Sequence, residues 1–248
     1  GGYSKHAITS IDAIQEVGQT PANEALSLAT QGATAYYMAC CATTIQKNDI
    51  VLIHAASGGV GSLLIQLAKN AGATVIAKVG NASKIETVLK LGADFAVDYS
   101  QEDYELQIKR ILGSKKLSLS FNPVGGSTYK KDLRLLGNAS KLILFGGSEL
   151  SAGKWGIFSK LNFVRKMGFF TPIALMMQSR SIIGVNMLKI ADLRPDVLKE
   201  CLNQVIKLHT SGKLNPISGG EFDVLDLAKA HHYLEEGKSS GKLSIHWN

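Results

Sequence analysis

The stretch from Asp49 to Ala73 limits what this chain can fold into more than any other part of the sequence. Its apolar run, Ile50 to Ile53, is long enough for a buried strand, and the run is followed by a glycine-rich turn at residues 55–61. A helical pattern over residues 62–71 comes next. Strand, glycine turn and helix in this order are typical of a parallel β-α-β unit that binds a dinucleotide, because glycine lets the backbone approach a pyrophosphate.

The small residues of this turn stand where such a unit needs them. Gly58 and Gly61 match the positions of close approach to the phosphates and of close packing between helix and strand. Ala56 replaces the usual first glycine and is the smallest side chain that still permits a tight turn. We expect the phosphates at the free N–H groups that begin the helix, where the helix dipole also favours an anion.

Predicted strands and helices alternate after the turn. Strands are predicted at residues 74–79, 95–98, 117–121, 141–145 and 181–185, and helices at 83–91, 102–112, 127–136 and 195–211. This alternation predicts an α/β fold with a doubly wound parallel sheet. Ligands of such sheets bind beyond the carboxyl ends of the strands, where Gly58, Gly80, Tyr99, Asn122 and Gly146 fall.

The two ends of the chain show a different pattern. Residues 3–8 are a short strand candidate, and a helical pattern from Pro21 is expected to break at Gly32. The tail has a predicted helix at 224–236 and a strand at 242–246, which we expect to pack where the first 20 residues belong. The chain begins with glycine rather than methionine, and we interpret it as part of a longer protein.

Composition excludes some classes of function. An apolar fraction of 45% and a charged fraction of 19% are typical of a globular protein with a sizeable core. The net charge of +7 is spread along the chain, so a phosphate-bearing cofactor explains it at least as well as an acidic partner. No basic-aromatic module is present, and we do not expect nucleic-acid binding. Cys40, Cys41 and Cys201 lack C-x-x-C spacing, which argues for a reduced, cytoplasmic location.

Residues 148–180 interrupt the alternation with aromatic and basic side chains. Such a segment has two interpretations, a contact with a membrane surface or a helical excursion packed on the protein or on a dimer partner. Its most apolar part, residues 167–179, is too short to span a bilayer.

The second strand bears on the choice of cofactor. An NAD site needs an Asp or Glu about 20 residues after the turn to bind the ribose 2′-OH, whereas a 2′-phosphate needs that acid to be absent and a cation nearby. Residues 79–84 contain no acid, and the nearest, Glu86, is inside a helix. The pattern therefore favours NADP. Lys84 taken alone is explained equally well as a solvated helix lysine.

Several blocks of sequence are similar to the zinc-independent quinone oxidoreductases of the medium-chain dehydrogenase/reductase superfamily, including its vesicle amine transport protein-1 branch. The blocks are residues 32–36, 55–61, 97–99, 123–126, 141–146 and 241–243, with Lys84 and Tyr99 between them. They cover nearly the whole chain in the family's order. Asn122, where many relatives carry aspartate, and Asn81, where a small hydroxyl residue is common, depart from the pattern.

The resemblance implies a domain organisation and a set of cofactor-binding residues. It implies the end of a GroES-like barrel domain at residues 1–20, an NADP-binding Rossmann domain at 21–213 with the excursion at 148–180, and a return to the barrel domain at 214–248. The residues it implies for NADP are Ser57, Gly58, Gly59, Val60 and Gly61 at the pyrophosphate, Lys84 and Tyr99 at the 2′-phosphate, Thr34 near the nicotinamide, and Asn122 and Gly146 lining the cleft.

The function that the resemblance implies is NADPH-dependent hydride transfer to a quinone or an α,β-unsaturated carbonyl, without zinc. No cysteine lies a few residues before Thr34, where zinc-dependent relatives need one, and His54 is interpreted as structural. A homodimer that pairs strand 181–185 is expected. The alternative is an NADPH-binding vesicle-protein relative that acts through partners or membranes with little turnover. A nucleotide-fold methyltransferase is less favoured, because its methyl donor has no 2′-phosphate for Lys84.

Overall fold

The structure is a computed structural model of the chain and describes residues 3–9, 11, 14–148, 156–168, 171–237 and 239–247. Two compact units make up the chain. One contains residues 1–37, 57–63 and 187–248, and the other contains residues 38–56 and 64–186.

The second unit is built on a parallel sheet. Its strands are Ile50–Ile53 (β1), Thr74–Val79 (β2), Phe95–Asp98 (β3), Leu117–Asn122 (β4), Leu136–Leu144 (β5) and Ser181–Gly184 (β6). They pair in the order β3-β2-β1-β4-β5-β6, and every pairing is parallel. This is the strand order of a doubly wound Rossmann sheet, so the predicted fold class is confirmed.

Helices connect these strands and cover both units. The α-helices of the described residues are Ala22–Ser27 (α1), Ala33–Tyr36 (α2), Gly59–Asn70 (α3), Ile85–Lys90 (α4), Tyr104–Leu112 (α5), Tyr129–Leu135 (α6), Gly156–Met167 (α7), Pro172–Gln178 (α8), Met187–Leu193 (α9), Pro195–Thr210 (α10) and Leu227–Glu235 (α11). Each predicted β-α connection of the sheet is present, with ends that differ from the prediction by a few residues.

The core of the second unit lies where the sheet packs on α5 and α6. Leu52 and Ile76, from neighbouring strands, are fully buried in one apolar cluster with Ile108 of α5 and Leu135 of α6. The residues of β1 and β2 are almost all buried, as expected for a parallel sheet that is covered on both faces. The central strands therefore form a rigid support for the loops that follow them.

Strand β5 begins earlier than its apolar pattern predicted. Residues 136–140 are part of the strand although they include glycine and polar side chains. The register with β4 shifts between the pairs Leu117–Leu136 and Leu119–Lys141, and Ala139 has a φ of 56°. This bulge interrupts the alternation of apolar and polar residues, so the first half of the strand does not show the period of two that predicts a strand.

A long helical segment begins at Ala22, and in it α1 and α2 alternate with π-helical turns at Leu28–Gly32 and Tyr37–Ala42; its residues up to 37 belong to the first unit. The predicted break at Gly32 is wrong, because Gly32 has helical φ and ψ of −63° and −51°. A Cβ at this position would lie 2.8 Å from Val205 Cγ1 of α10. The glycine thus serves the close packing of two helices.

The ends of the chain in the first unit also differ from the prediction. The structure has no strand in the described residues 3–9, where one was predicted. The predicted strand at the tail, Lys242–His246 (β8), is present, and it pairs in parallel with an unpredicted strand, Ser218–Asp223 (β7). β7 contains two adjacent glycines and alternates poorly, so its sequence resembles a loop.

Candidate functional site

The glycine turn lies between the end of β1 and the start of α3. Helix α3 begins at Gly59, three residues earlier than predicted, and its first turn therefore includes Val60 and Gly61. Ser57 O accepts a hydrogen bond from Gly241 N at 3.0 Å, and Gly58 forms a parallel bridge with Gly241. A Cβ on Gly59 would lie 2.5 Å from the side-chain amide carbon of Gln31. The turn is thus closely packed inside the first unit.

The first N–H groups of α3 are available for a ligand. Ser62 N makes the first helical hydrogen bond, to Gly58 O at 2.9 Å. Among the described residues, none accepts the N–H groups of Val60 or Gly61, whereas Gly59 N faces Gly241 O across the parallel bridge. N–H groups without acceptors at a helix N-terminus form a binding site for an anion.

The tight turn itself occurs one residue before the position indicated by the sequence. Ala55 has a φ of 48°, in the left-handed region, whereas Ala56 N donates to Lys78 O at 3.1 Å. A non-glycine residue in this region costs about 1 to 2 kcal/mol. Backbone strain of this kind is frequent at functional turns.

Thr34 lies on α2 in the first unit and is half-buried. Its Oγ1 donates to Thr30 O, one helical turn earlier, at 2.6 Å. The hydroxyl therefore already has an acceptor within its own helix and retains its lone pairs for a donor.

The two residues that were predicted to bind the 2′-phosphate both belong to the second unit. Tyr99 directly follows β3, the residue is 51% exposed, and its backbone N donates to Val79 O at 3.2 Å. A Cβ on Gly80, at the end of β2, would lie 3.0 Å from Tyr99 Oη, so glycine allows this close approach. Lys84 ends a 3₁₀ turn, Ala82–Lys84, and burial lowers the pKa of its amine.

Asn122 and Gly146 stabilise the loops after β4 and β5. Asn122 is fully buried, and its Oδ1 accepts from Val124 N at 2.8 Å and from Gly125 N at 3.0 Å. A Cβ on Gly146 would lie 2.7 Å from Pro123 O, so only glycine fits there. Both residues therefore shape the loop at 122–126, and the amide of Asn122 makes its hydrogen bonds within the protein.

A buried polar network, which the sequence did not indicate, surrounds Asp132 of α6. The carboxylate is fully buried and accepts hydrogen bonds from Tyr104 Oη at 2.8 Å, Ser120 Oγ at 2.8 Å and Asn122 Nδ2 at 2.6 Å. His54 Nε2 lies 3.0 Å from Asp132 Oδ2. Burial alone would raise the pKa of Asp132, but His54 and these donors hold it below the usual range, so the carboxylate is ionised.

The same network extends to Lys78. Burial lowers the pKa of His54, which is therefore neutral at pH 7, and we assign its proton to Nε2, facing the carboxylate. His54 Nδ1 then accepts from Lys78 Nζ at 3.3 Å. Burial also lowers the pKa of Lys78, to about 8. The interpretation of His54 as structural agrees with this position. The sequence feature that could have indicated the network is Lys78, a lysine within an otherwise apolar strand.

Lys78 opens onto a pocket of about 700 Å³ in the second unit. Its Nζ lies 4.2 Å from the ring centroid of Tyr99 and 4.4 Å from that of Tyr104. The pocket is also lined by Asp103, Val124, Ser127, Thr128, Lys131 and Ser148. Lys84 is not among the described lining residues. The pocket combines ammonium groups, hydroxyls and aromatic faces, a combination that suits a phosphorylated aromatic ligand.

The described residues contain no group of three or more His, Cys, Asp or Glu side chains placed to hold a metal ion. None of the described helices combines the length and the hydropathy that a bilayer span requires. None of the three cysteines forms a disulfide within the described residues, and Cys201 is buried.

Comparison with known proteins gives the family. Residues 59–203, more than half of the chain, match the zinc-binding dehydrogenase family. The chain is 30% identical over 213 residues to quinone oxidoreductase 1 of Escherichia coli (strain K12), which covers 85% of this chain and 61% of that protein. It is 28% identical over 223 residues to the synaptic vesicle membrane protein VAT-1 homolog of Danio rerio, covering 90% of this chain and 46% of that protein.

A solved structure supports the same relationship. The fold matches Escherichia coli quinone oxidoreductase complexed with NADPH with a TM-score of 0.71 and 27% identity, over 88% of this chain and 64% of that chain. The chain thus spans about half to three-fifths of the length of the curated relatives described above. Its fold, its glycine turn and these matches place it in the zinc-binding dehydrogenase family, on the quinone oxidoreductase and VAT-1-like branch of the medium-chain dehydrogenase/reductase superfamily.

Proposed function

We propose that this chain binds NADPH and is part of an oxidoreductase that transfers hydride to a quinone or an α,β-unsaturated carbonyl without zinc. The observation that supports it most directly is the start of α3, where Val60 and Gly61 present N–H groups without acceptors among the described residues. A pyrophosphate needs donors of this kind at a helix N-terminus. The relatives named quinone oxidoreductase support the reaction class.

In this proposal the protein binds and orients the cofactor and the substrate, and bound NADPH supplies the hydride. Ser57 to Gly61 hold the pyrophosphate through backbone N–H groups. Thr34 Oγ1, whose proton is directed to Thr30 O, offers its lone pairs as an acceptor near the nicotinamide. Positioning is the main contribution expected from such a site, because displacement of the reacting atoms by about 1 Å can reduce the rate about a hundredfold.

Fluorescence titration of NADPH with the chain tests the binding. We expect saturable enhancement by the wild type and at least about tenfold weaker binding by Val60→Asp, because a carboxylate at this position repels the phosphates. Aspartate in the first turn is favourable for a helix, so the variant should fold. Val60→Asn is the neutral control and should bind nearly as well as the wild type. No binding by the wild type would refute the proposal.

Reduction of a panel of quinones and enones at saturating NADPH tests the reaction. The curated relatives extend well beyond the part of them that this chain matches, so the facing wall of the substrate cleft is expected from a further domain. We therefore expect slow turnover by the 248-residue chain and faster turnover by a longer protein that contains the barrel domain. Equal rates would show that the barrel domain is not needed for the reaction.

A second candidate is NADPH binding with function at a membrane surface, which exposed apolar side chains of α8 favour. Ile173, Met176 and Met177 are 64%, 75% and 80% exposed. Sedimentation with anionic vesicles separates the candidates. Binding that is lost in the triple variant I173S/M176S/M177S would support the membrane function, and absence of binding by the wild type would exclude it.

A further inference from the structure

We propose that Lys78 binds the 2′-phosphate of NADPH and thereby determines a preference for NADPH over NADH. This inference rests on the proposed NADPH binding and adds a specificity-determining residue to it. Lys84 and Tyr99 were the residues predicted for this phosphate, and the structure places a further lysine, Lys78, against the ring of Tyr99.

The position of Lys78 in the sheet is the first argument. It is the penultimate residue of β2, and the adenosine ribose of a bound dinucleotide lies at the carboxyl end of this strand in Rossmann sheets. Lys78 Nζ lies 4.2 Å from the ring centroid of Tyr99, and Tyr99 Oη approaches the backbone at Gly80. Both side chains line the same pocket. A phosphate near Tyr99 Oη would therefore be within reach of the ammonium group.

The charge of Lys78 is the second argument. The residue is only 4% exposed, and no carboxylate in the described part of the chain forms an ion pair with it. Asp132 lies on the far side of the His54 imidazole, and Asp103, at the same pocket, is paired with Lys131. A buried ammonium without a counter-ion is unfavourable, and a phosphate in the pocket would supply the missing negative charge.

The lining of the pocket is the third argument. Lys131 adds a second ammonium group, and Ser127 and Ser148 add hydroxyl donors, against the one carboxylate of Asp103. Charge-assisted hydrogen bonds from such donors are the usual means of phosphate recognition. The excess of donors suits a dianionic phosphate better than the neutral 2′-OH of NADH.

Binding of 2′,5′-ADP and of 5′-AMP by calorimetry tests the inference, because the two ligands differ only in the 2′-phosphate. We expect Lys78→Met, which keeps the buried stem, to bind 2′,5′-ADP about ten to a hundred times more weakly than the wild type and to bind 5′-AMP with unchanged affinity. Lys78→Arg should restore part of the loss. Lys90→Met removes an exposed lysine of α4 and is the matched control. Lys84→Met, tested in parallel, should have the smaller effect.

Several results would overturn this role. An equal loss for both ligands would mean that Lys78 contacts the base or supports the pocket, and no loss would mean that it does not reach the ligand. A larger effect of Lys84→Met would mean that Lys84, and not Lys78, is the main residue that binds the 2′-phosphate. If the wild type bound NADPH while Lys78→Met bound 2′,5′-ADP normally, only this inference would fail. If the wild type bound neither ligand, the proposed function itself would fail.

Proton uptake by the wild type gives a test that does not depend on a folded variant. With a pKa of about 8 for Lys78, calorimetry at pH 8 in buffers of different ionisation enthalpy should detect uptake of about half a proton with 2′,5′-ADP and none with 5′-AMP. Absence of uptake would contradict the inference. The other titratable groups that face Lys78 from β1, β3, α5 and α6 are His54, Tyr99, Asp103, Tyr104, Lys131 and Asp132.

Discussion

At the scale of single residues, Asp132 shows how hydrogen bonds stabilise a buried charge. It is fully buried and accepts hydrogen bonds from side chains of β4 and α5 and from His54 after β1. A carboxylate in such a place is stable only because each lone pair has a donor. The network therefore joins α6 to the end of the sheet from which the loops after β1 and β4 extend.

Removal of this carboxylate should destabilise the protein strongly. We expect Asp132→Ala to lower the free energy of unfolding by about 3 to 5 kcal/mol, because several buried donors lose their acceptor together. Urea denaturation, monitored by circular dichroism, measures the free energy of unfolding. Asp226→Ala, which removes a half-exposed partner of Lys229, is the control and should change stability by no more than about 0.5 kcal/mol. Similar values for both variants would mean that the network contributes little.

At the scale of elements, α5 and α6 are joined by an ion pair close to the core. Arg134 of α6 donates to both carboxylate oxygens of Glu105, with Nε at 2.9 Å and Nη2 at 2.6 Å, and Lys109 lies 2.8 Å from the same carboxylate. Glu105 is 7% exposed. The hydrogen bond from Arg134, with that from Lys109, lowers the pKa of Glu105 to about 2.

This low pKa predicts a pH dependence of stability. A carboxyl whose pKa is lower in the folded state stabilises the protein above its unfolded pKa, about 4.5, and the contribution is lost as the pH falls toward 2. We expect the free energy of unfolding of Glu105→Gln to be about 2 kcal/mol lower than that of the wild type at pH 7, and this difference to become smaller between pH 4.5 and pH 3. Denaturant unfolding at several pH values measures the difference. Glu86→Gln, on the exposed face of α4, is the control. A difference for Glu105→Gln that stays constant with pH would contradict this assignment.

At the scale of the whole molecule, the sheet of the second unit ends at β6, to which no further strand of the described residues pairs. β6 is the last strand in the order of the sheet, and its sequence, SIIG, carries no proline and no charge. Val185 N donates to Leu144 O, so by the period of two the N–H groups of Ile182 and Gly184 point away from β5. An unprotected apolar edge favours pairing with a second copy around a twofold axis.

A homodimer through β6 remains a prediction, and proline placement tests it. Ile182→Pro removes only an outward N–H and leaves the pairing with β5 intact, so it should convert a dimer to folded monomer. Light scattering at tens of micromolar measures the mass, with Ile182→Val as the control that should stay dimeric. A monomeric wild type, or a dimer unaffected by proline, would count against pairing at this edge.

The sequence by itself determined the elements of the sheet and the turn that begins α3. The limits of β1, β2, β3 and β8 agree with those predicted, because apolar runs and flanking glycines are local signals. The same local signals indicated a doubly wound fold. They also indicated Ser57 to Gly61 as a candidate phosphate site, since the strand, the turn and the helix that form it are consecutive in the chain.

Only the tertiary structure decided which distant side chains meet. His54, Lys78 and Asp132 are hydrogen-bonded in one line although they lie on separate elements, because β1 pairs with both β2 and β4 and α6 packs beside them. Strand order is a long-range property that no local period encodes. For the same reason Gly32 had the pattern of a helix break and serves helix packing instead, since the contact with Val205 is invisible along the chain.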